Sequence, residues 1–130
     1  MFGLALLLPL VSLMQCGQDE TVAAYGAGGR EWVLRSIDGT DFPASATLEF
    51  PEARRVAGQG PCNWYSATLD VPYPWFELRD LAATRAACPD LEAEGTFFAA
   101  LMAMEQSEVF GGILILRNEV GHEMLFNAAD

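Results

Sequence analysis

Three cysteines and a single histidine are the residues of this chain whose chemistry could exceed a structural role. Cys62 lies in Gly58-Gln59-Gly60-Pro61-Cys62-Asn63-Trp64-Tyr65-Ser66, and Cys88 in Thr84-Arg85-Ala86-Ala87-Cys88-Pro89. Each cysteine sits near residues that bend the backbone, since Gly and Pro favour turn and bulge conformations. Asn63 can bond to neighbouring backbone and fix the corner it occupies. Paired cysteines in an exported domain would close a disulfide; the alternative is two separate buried thiols. On the chain-entropy model that loop would add about 3–4 kcal/mol of stability. A redox pair would more typically be spaced Cys-x-x-Cys.

His122 has no second histidine and no cysteine or carboxylate cluster at ligand spacing, so neither metal nor cofactor is expected. It follows a turn, where a surface role is the ordinary outcome. No Gly-x-Ser-x-Gly element supplies a nucleophile. Glu92 and Glu94 stand two apart and do not share a helix face as an acid/base pair. Gly58-Gln59-Gly60 lacks the Gly-Lys-Ser/Thr that completes a phosphate loop. No catalytic residue is expected. The aromatics Trp64, Tyr65, Tyr73, Trp75 and Phe76 bracket two strand patterns, and core packing accounts for most of them. Those left exposed suggest a surface for a peptide or apolar ligand, formed by Trp64, Tyr65, Trp75 and Arg85, with Arg85 placed to hold a carboxylate.

The chain has 130 residues, room for one domain with a modest core. Its net charge is −11, and its seven basic residues are all arginine. So acidic a chain repels phosphate backbones and anionic lipid, which excludes charge-driven binding to nucleic acid or membrane. Residues 1–15 read as a secretory signal, since Phe2 to Met14 are apolar but for Gly3, Pro9 and Ser12 and too short to span a bilayer comfortably. Leu13-Met14-Gln15-Cys16 looks like a lipobox, making Cys16 the lipid attachment site. Gln15 stands where small residues are usual, and no basic residue precedes Arg30. Plain secretion and an uncleaved anchor are the alternatives. Gly17 after the cysteine favours an outer-membrane anchor facing the periplasm. Residues 16–29 read as the lipidated cysteine and a flexible linker, and residues 30–130 as the domain.

Within the domain, residues 31–37 end at the turn signal Asp38-Gly39, and residues 46–50 alternate with Ala46, Leu48 and Phe50 on one face. Further strands are expected over 54–58, 64–69 and 75–81, with Pro72 and Pro74 confined to a connection. Pro89 and Asp90 then suit a helix start, and Phe97, Phe98, Leu101 and Met104 recur at helical spacing over 90–105. Val109-Phe110 and residues 113–116 flank Gly111-Gly112 as a tight hairpin, and residues 122–127 form a last strand.

This order, with Trp32 and Leu34, Gly58 with Pro61-Cys62-Asn63, Thr84 with Cys88, Glu94 followed by Phe97 and Leu101, and a late strand pair ending at Phe126, resembles the META domain family of HslJ-like heat-inducible lipoproteins. The pattern itself reaches an α+β domain with an antiparallel sheet. The resemblance implies a small curved, barrel-like sheet with one helix packed against it. It also implies a non-enzymatic protein of the cell envelope, linked to stress response, envelope integrity or resistance to novobiocin. The partner would be an envelope protein or a small apolar or peptide ligand. A small-ligand-binding barrel of the periplasm is the alternative, and an interior cavity lined by Trp64, Trp75 and Phe97 would favour it.

Overall fold

The structure is a computed structural model and describes residues 18–129. Residues 1–15, expected to be a secretory signal, and Cys16, expected to carry the lipid, lie outside the described residues. Strand β1 (Trp32–Ile37) turns through Asp38 and Gly39, both at positive φ (53° and 80°), into the short β2 (Thr40–Asp41). Two consecutive residues in that region are what a two-residue hairpin requires. β1 pairs on its other side with the C-terminal strand β9 (Glu123–Ala128), which continues through β8 (Ile113–Arg117) to β7 (Gln106–Phe110). β3 (Thr47–Leu48) adds to β1 beside β2. The second sheet is β4 (Arg55–Gln59), β5 (Trp64–Leu69) and β6 (Leu78–Ala83), all antiparallel.

Single bridges join the two sheets at both ends, Glu49 to Ala57 and Trp75 to Gln106. The result is curved and barrel-like without a continuous closed ladder. Register explains the core. Leu34 and Leu114 both lie opposite Phe126, and Leu116 opposite Met124, so alternate residues of β1, β8 and β9 point the same way and are buried. Helix α1 (Leu91–Met102) covers the sheets with Phe97 and Leu101, both at 0% exposure. Phe97 meets Tyr65 of β5 edge-on at 5.6 Å and Phe42, beyond β2, at 6.2 Å, so one ring ties the second sheet to the first. Full burial of a side chain of that size contributes about 1.5–3 kcal/mol.

Several expectations need correction. Residues 18–29 are not a free tether. Val22–Tyr25 form a 3₁₀ turn capped by the Thr21 hydroxyl, Val22 and Ala27 are fully buried, and the Trp32 indole N–H donates to the Ala27 carbonyl. Tyr25 stacks on Tyr73 at 4.9 Å. Apolar side chains separated by glycines have no period to show, yet they fill the space beside β7. The strand expected over 75–81 begins at Leu78, because Trp75 and Phe76 bond across to the start of β7 instead. The helix spans 91–102 and not 90–105; Asp90 is its N-cap without a side-chain cap bond, and Met104 is buried beyond its end.

Candidate functional site

The corner around Cys62 is built from three segments that meet at Asn63 and Glu94, each only 4% exposed. Glu94 occupies the first turns of α1 on the same face as Phe97 and Leu101, so the helix aims its carboxylate inward. Its Oε2 accepts from the backbone N–H of Cys62 (2.8 Å) and of Asn63 (2.7 Å), and its Oε1 accepts from Asn63 Nδ2 (2.7 Å). The opposite end of Asn63 closes the loop. Its Oδ1 accepts from the Thr84 hydroxyl (2.9 Å) and the Ala86 N–H (2.7 Å), while Nδ2 also donates to the Ala86 carbonyl (3.0 Å). Thr84 Oγ1 in turn accepts from the Trp64 N–H at 3.2 Å. The helix N-terminal dipole favours a carboxylate at this end.

Cys62 and Cys88 form a disulfide with Cα atoms 5.7 Å apart, which fastens the same corner to the segment entering α1. Gly58 serves a neighbouring contact. A β-carbon there would lie 2.2 Å from the Thr47 carbonyl oxygen, which also accepts from the Tyr65 hydroxyl at 2.6 Å. β3 therefore crosses β4 closer than any other residue type would permit. The residues that mark the motif are thus brought together, and their polar groups are used on one another. The sequence pattern presents Glu94 as half of a rejected acid pair and as a marker of the family resemblance; its place three and seven residues before Phe97 and Leu101 is the signal that its carboxylate is buried.

The aromatic candidates divide. Tyr65 is 4% exposed, packed against Phe97 and Phe98, and burial pushes its phenol well above the ordinary range, so most of it belongs to the core, although it also borders the depression beside Trp64. Trp64 and Trp75 are exposed (61% and 52%) but sit in different depressions. Trp64 lies with Ser66, Ala82, Ala83 and Thr84 along β5 and β6. Trp75 lies in an open groove of about 690 Å³ between the β5–β6 connection and the end of α1. Arg85 is exposed and lines neither. His122 is a surface residue whose Nδ1 lies 2.8 Å from Asp38 Oδ2. The Asp38 carboxyl is held below its ordinary value first by the Glu123 N–H and then by His122. Among the described residues no group of three or more His, Cys, Asp or Glu is placed to hold a metal ion. No helix among them is long and apolar enough to cross a membrane.

Fold and motif together define a small α+β domain whose helix is bolted to a disulfide-bearing sheet corner. Residues 25–130 match the META domain family model, and the chain belongs to that family. Among solved structures it is similar to an NMR structure of a protein from Burkholderia xenovorans (23% identity, covering 83% of this chain and 87% of that one, TM-score 0.67). It is also similar to a crystal structure of a DUF4847 family protein from Bacteroides vulgatus (11% identity, covering 82% and 96%, TM-score 0.66). At these identities the likeness is one of fold. No curated protein matches the chain.

Proposed function

We propose that the protein is a non-enzymatic interaction module of the cell envelope, anchored through a lipid on Cys16 and supporting envelope integrity under stress in the HslJ-like manner. The observation that carries the interaction reading is where the large apolar side chains lie. Trp32, Phe76, Phe97 and Phe126 fill the interior at 0–1% exposure, whereas Trp64, Trp75, Met102 and Phe110 face solvent. Trp64, Trp75 and Phe97 share no cavity, so an interior ligand is less well supported than a surface partner. The motif residues support a structural role, since both oxygens of Glu94 are taken by N–H donors of the chain itself. A solvated acidic surface fits a partner met in water or at a membrane face, with no contribution from nucleic acid.

The test places a photo-crosslinking residue at position 64 or 75 in cells, with position 91 on the helix start as control. Discrete adducts from 64 or 75 alone, in protein whose intact mass matches cleavage before Cys16 plus acyl chains, are the expected result. Full-length unmodified protein that gives no adduct from either position would overturn the reading.

A further inference from the structure

The Trp75 groove has an apolar floor and an acidic rim. Buried Phe76 and Met104 form its floor, half-buried Val71 and exposed Pro72 line it too, and Trp75 (52%) and Met102 (42%) expose their side chains over it. Its charged lining residues are Glu77, Glu105 and Glu119, and no arginine joins them. The Glu105 carboxylate accepts from the Glu119 backbone N–H at 2.8 Å, which holds a second acidic residue against the first. The last turn of α1 ends at Met102 on this groove, and it carries no basic residue where one would balance the negative end of the helix dipole. Three carboxylates and a helix C-terminus thus surround an indole face that itself attracts cations.

We infer that this groove docks a partner-protein segment in which apolar side chains alternate with Arg or Lys, the apolar groups on Trp75 and Met102 and the cations on Glu77, Glu105 and Glu119. The inference rests on the surface-interaction reading above and supplies its partner chemistry. Charge complementarity selects this occupant. A second copy brings another net charge of −11, and residues 1–29 contain no Arg or Lys but do carry Asp19 and Glu20.

The probes are acetyl-(Leu-Arg)₃-amide, its neutral (Leu-Gln)₃ counterpart and the acidic (Leu-Glu)₃ one, titrated into ¹⁵N-labelled full-length protein. The expected result is a shift of the Trp75 indole N–H and of the amides of residues 102–105 with the Arg peptide. Its affinity should be at least about tenfold above that of the neutral peptide, and should fall with added salt. The triple variant Glu77→Gln, Glu105→Gln, Glu119→Gln keeps the side-chain shapes and should lose about tenfold, as three exposed pairs allow. Equal binding of the neutral peptide, an unchanged triple variant, or peptide-independent broadening at the groove that rises with protein concentration would overturn the assignment. Shifts confined to the Trp64 surface would overturn it too, while leaving the interaction reading intact. Crosslinks in cells from position 64 alone would say the same.

Discussion

Replacing Glu94 by glutamine exchanges one oxygen for an amide nitrogen, and the corner contains no arrangement that accepts the exchange. The carboxylate receives three N–H groups, two on Oε2 and one on Oε1. If the new amide nitrogen takes the place of Oε2, it faces the N–H groups of Cys62 and Asn63. If it takes the place of Oε1, it faces Asn63 Nδ2. Flipping the Asn63 amide relieves that opposition only by turning Nδ2 onto the Ala86 N–H, which can donate and never accept. One buried donor is left opposed, at about 1–3 kcal/mol, and the remaining bonds lose their charge, at about 1 kcal/mol more. The expected destabilisation is about 3 kcal/mol, or a melting temperature lower by roughly 12–24 °C for a domain near this size. Urea unfolding under non-reducing conditions, followed by the fluorescence of buried Trp32, reads it directly. A second variant separates geometry from mere loss of charge. Asn63→Asp combined with Glu94→Gln lets the glutamine donate to a carboxylate that still accepts from Thr84 and Ala86. It should recover about half of the loss, although the Ala86 carbonyl goes without its donor. A Glu94→Gln protein within about 1 kcal/mol of the parent, or a double variant weaker than either single one, would refute the reasoning.

Three further outcomes follow from the same geometry. Cys62→Ser with Cys88→Ser should cost about 3–4 kcal/mol by denaturant unfolding, because the unfolded chain regains the entropy of an open loop; a loss under 1 kcal/mol would mean that the hydrogen bonds alone hold the corner. Gly58→Ala should destabilise by about 2 kcal/mol or more, since the new methyl meets backbone oxygen at 2.2 Å and not a side-chain end that could swing away; equal midpoints in urea would contradict it. Asp38 should titrate below 3.8, as read by carbonyl ¹³C shifts. Its folded value is depressed, so the stability it lends is complete above its unfolded value and is lost as pH falls through the folded one. A midpoint at or above 3.8 would remove the Glu123 and His122 contacts from the account.

How much of this was legible in the sequence depends on whether a residue's role is set by its near neighbours. Asn63 was readable as a corner-fixing residue and Cys62 with Cys88 as a pair, because turn chemistry and cysteine count are local or global properties of the string. The Gly111-Gly112 hairpin and the Phe97, Leu101 face were readable for the same reason. Glu94 lay within reach of that periodicity, but a carboxylate on an apolar face reads as an N-terminal charge until its donors are known, and those come from residues 62 and 63. Tyr65 and Trp64 show the limit of aromatic content as a guide. They are adjacent in β5, and strand alternation sends one into the core and the other into solvent, yet only the position of β3 and α1 decides which. Residues 18–29 mark the opposite failure. Their glycines and alanines carry no period, and what orders them is Trp32, whose indole needs the Ala27 carbonyl, together with the Tyr25–Tyr73 stack. Both partners arrive from later in the chain, so composition alone could only describe a tether. The consequence reaches function: the described part of the fold begins at Gln18, two positions after Cys16 in the sequence. If Cys16 carries a lipid, the surface near Val71 and Pro72, which borders both Gln18 and the Trp75 groove, is held close to the membrane and not swung out on a leash.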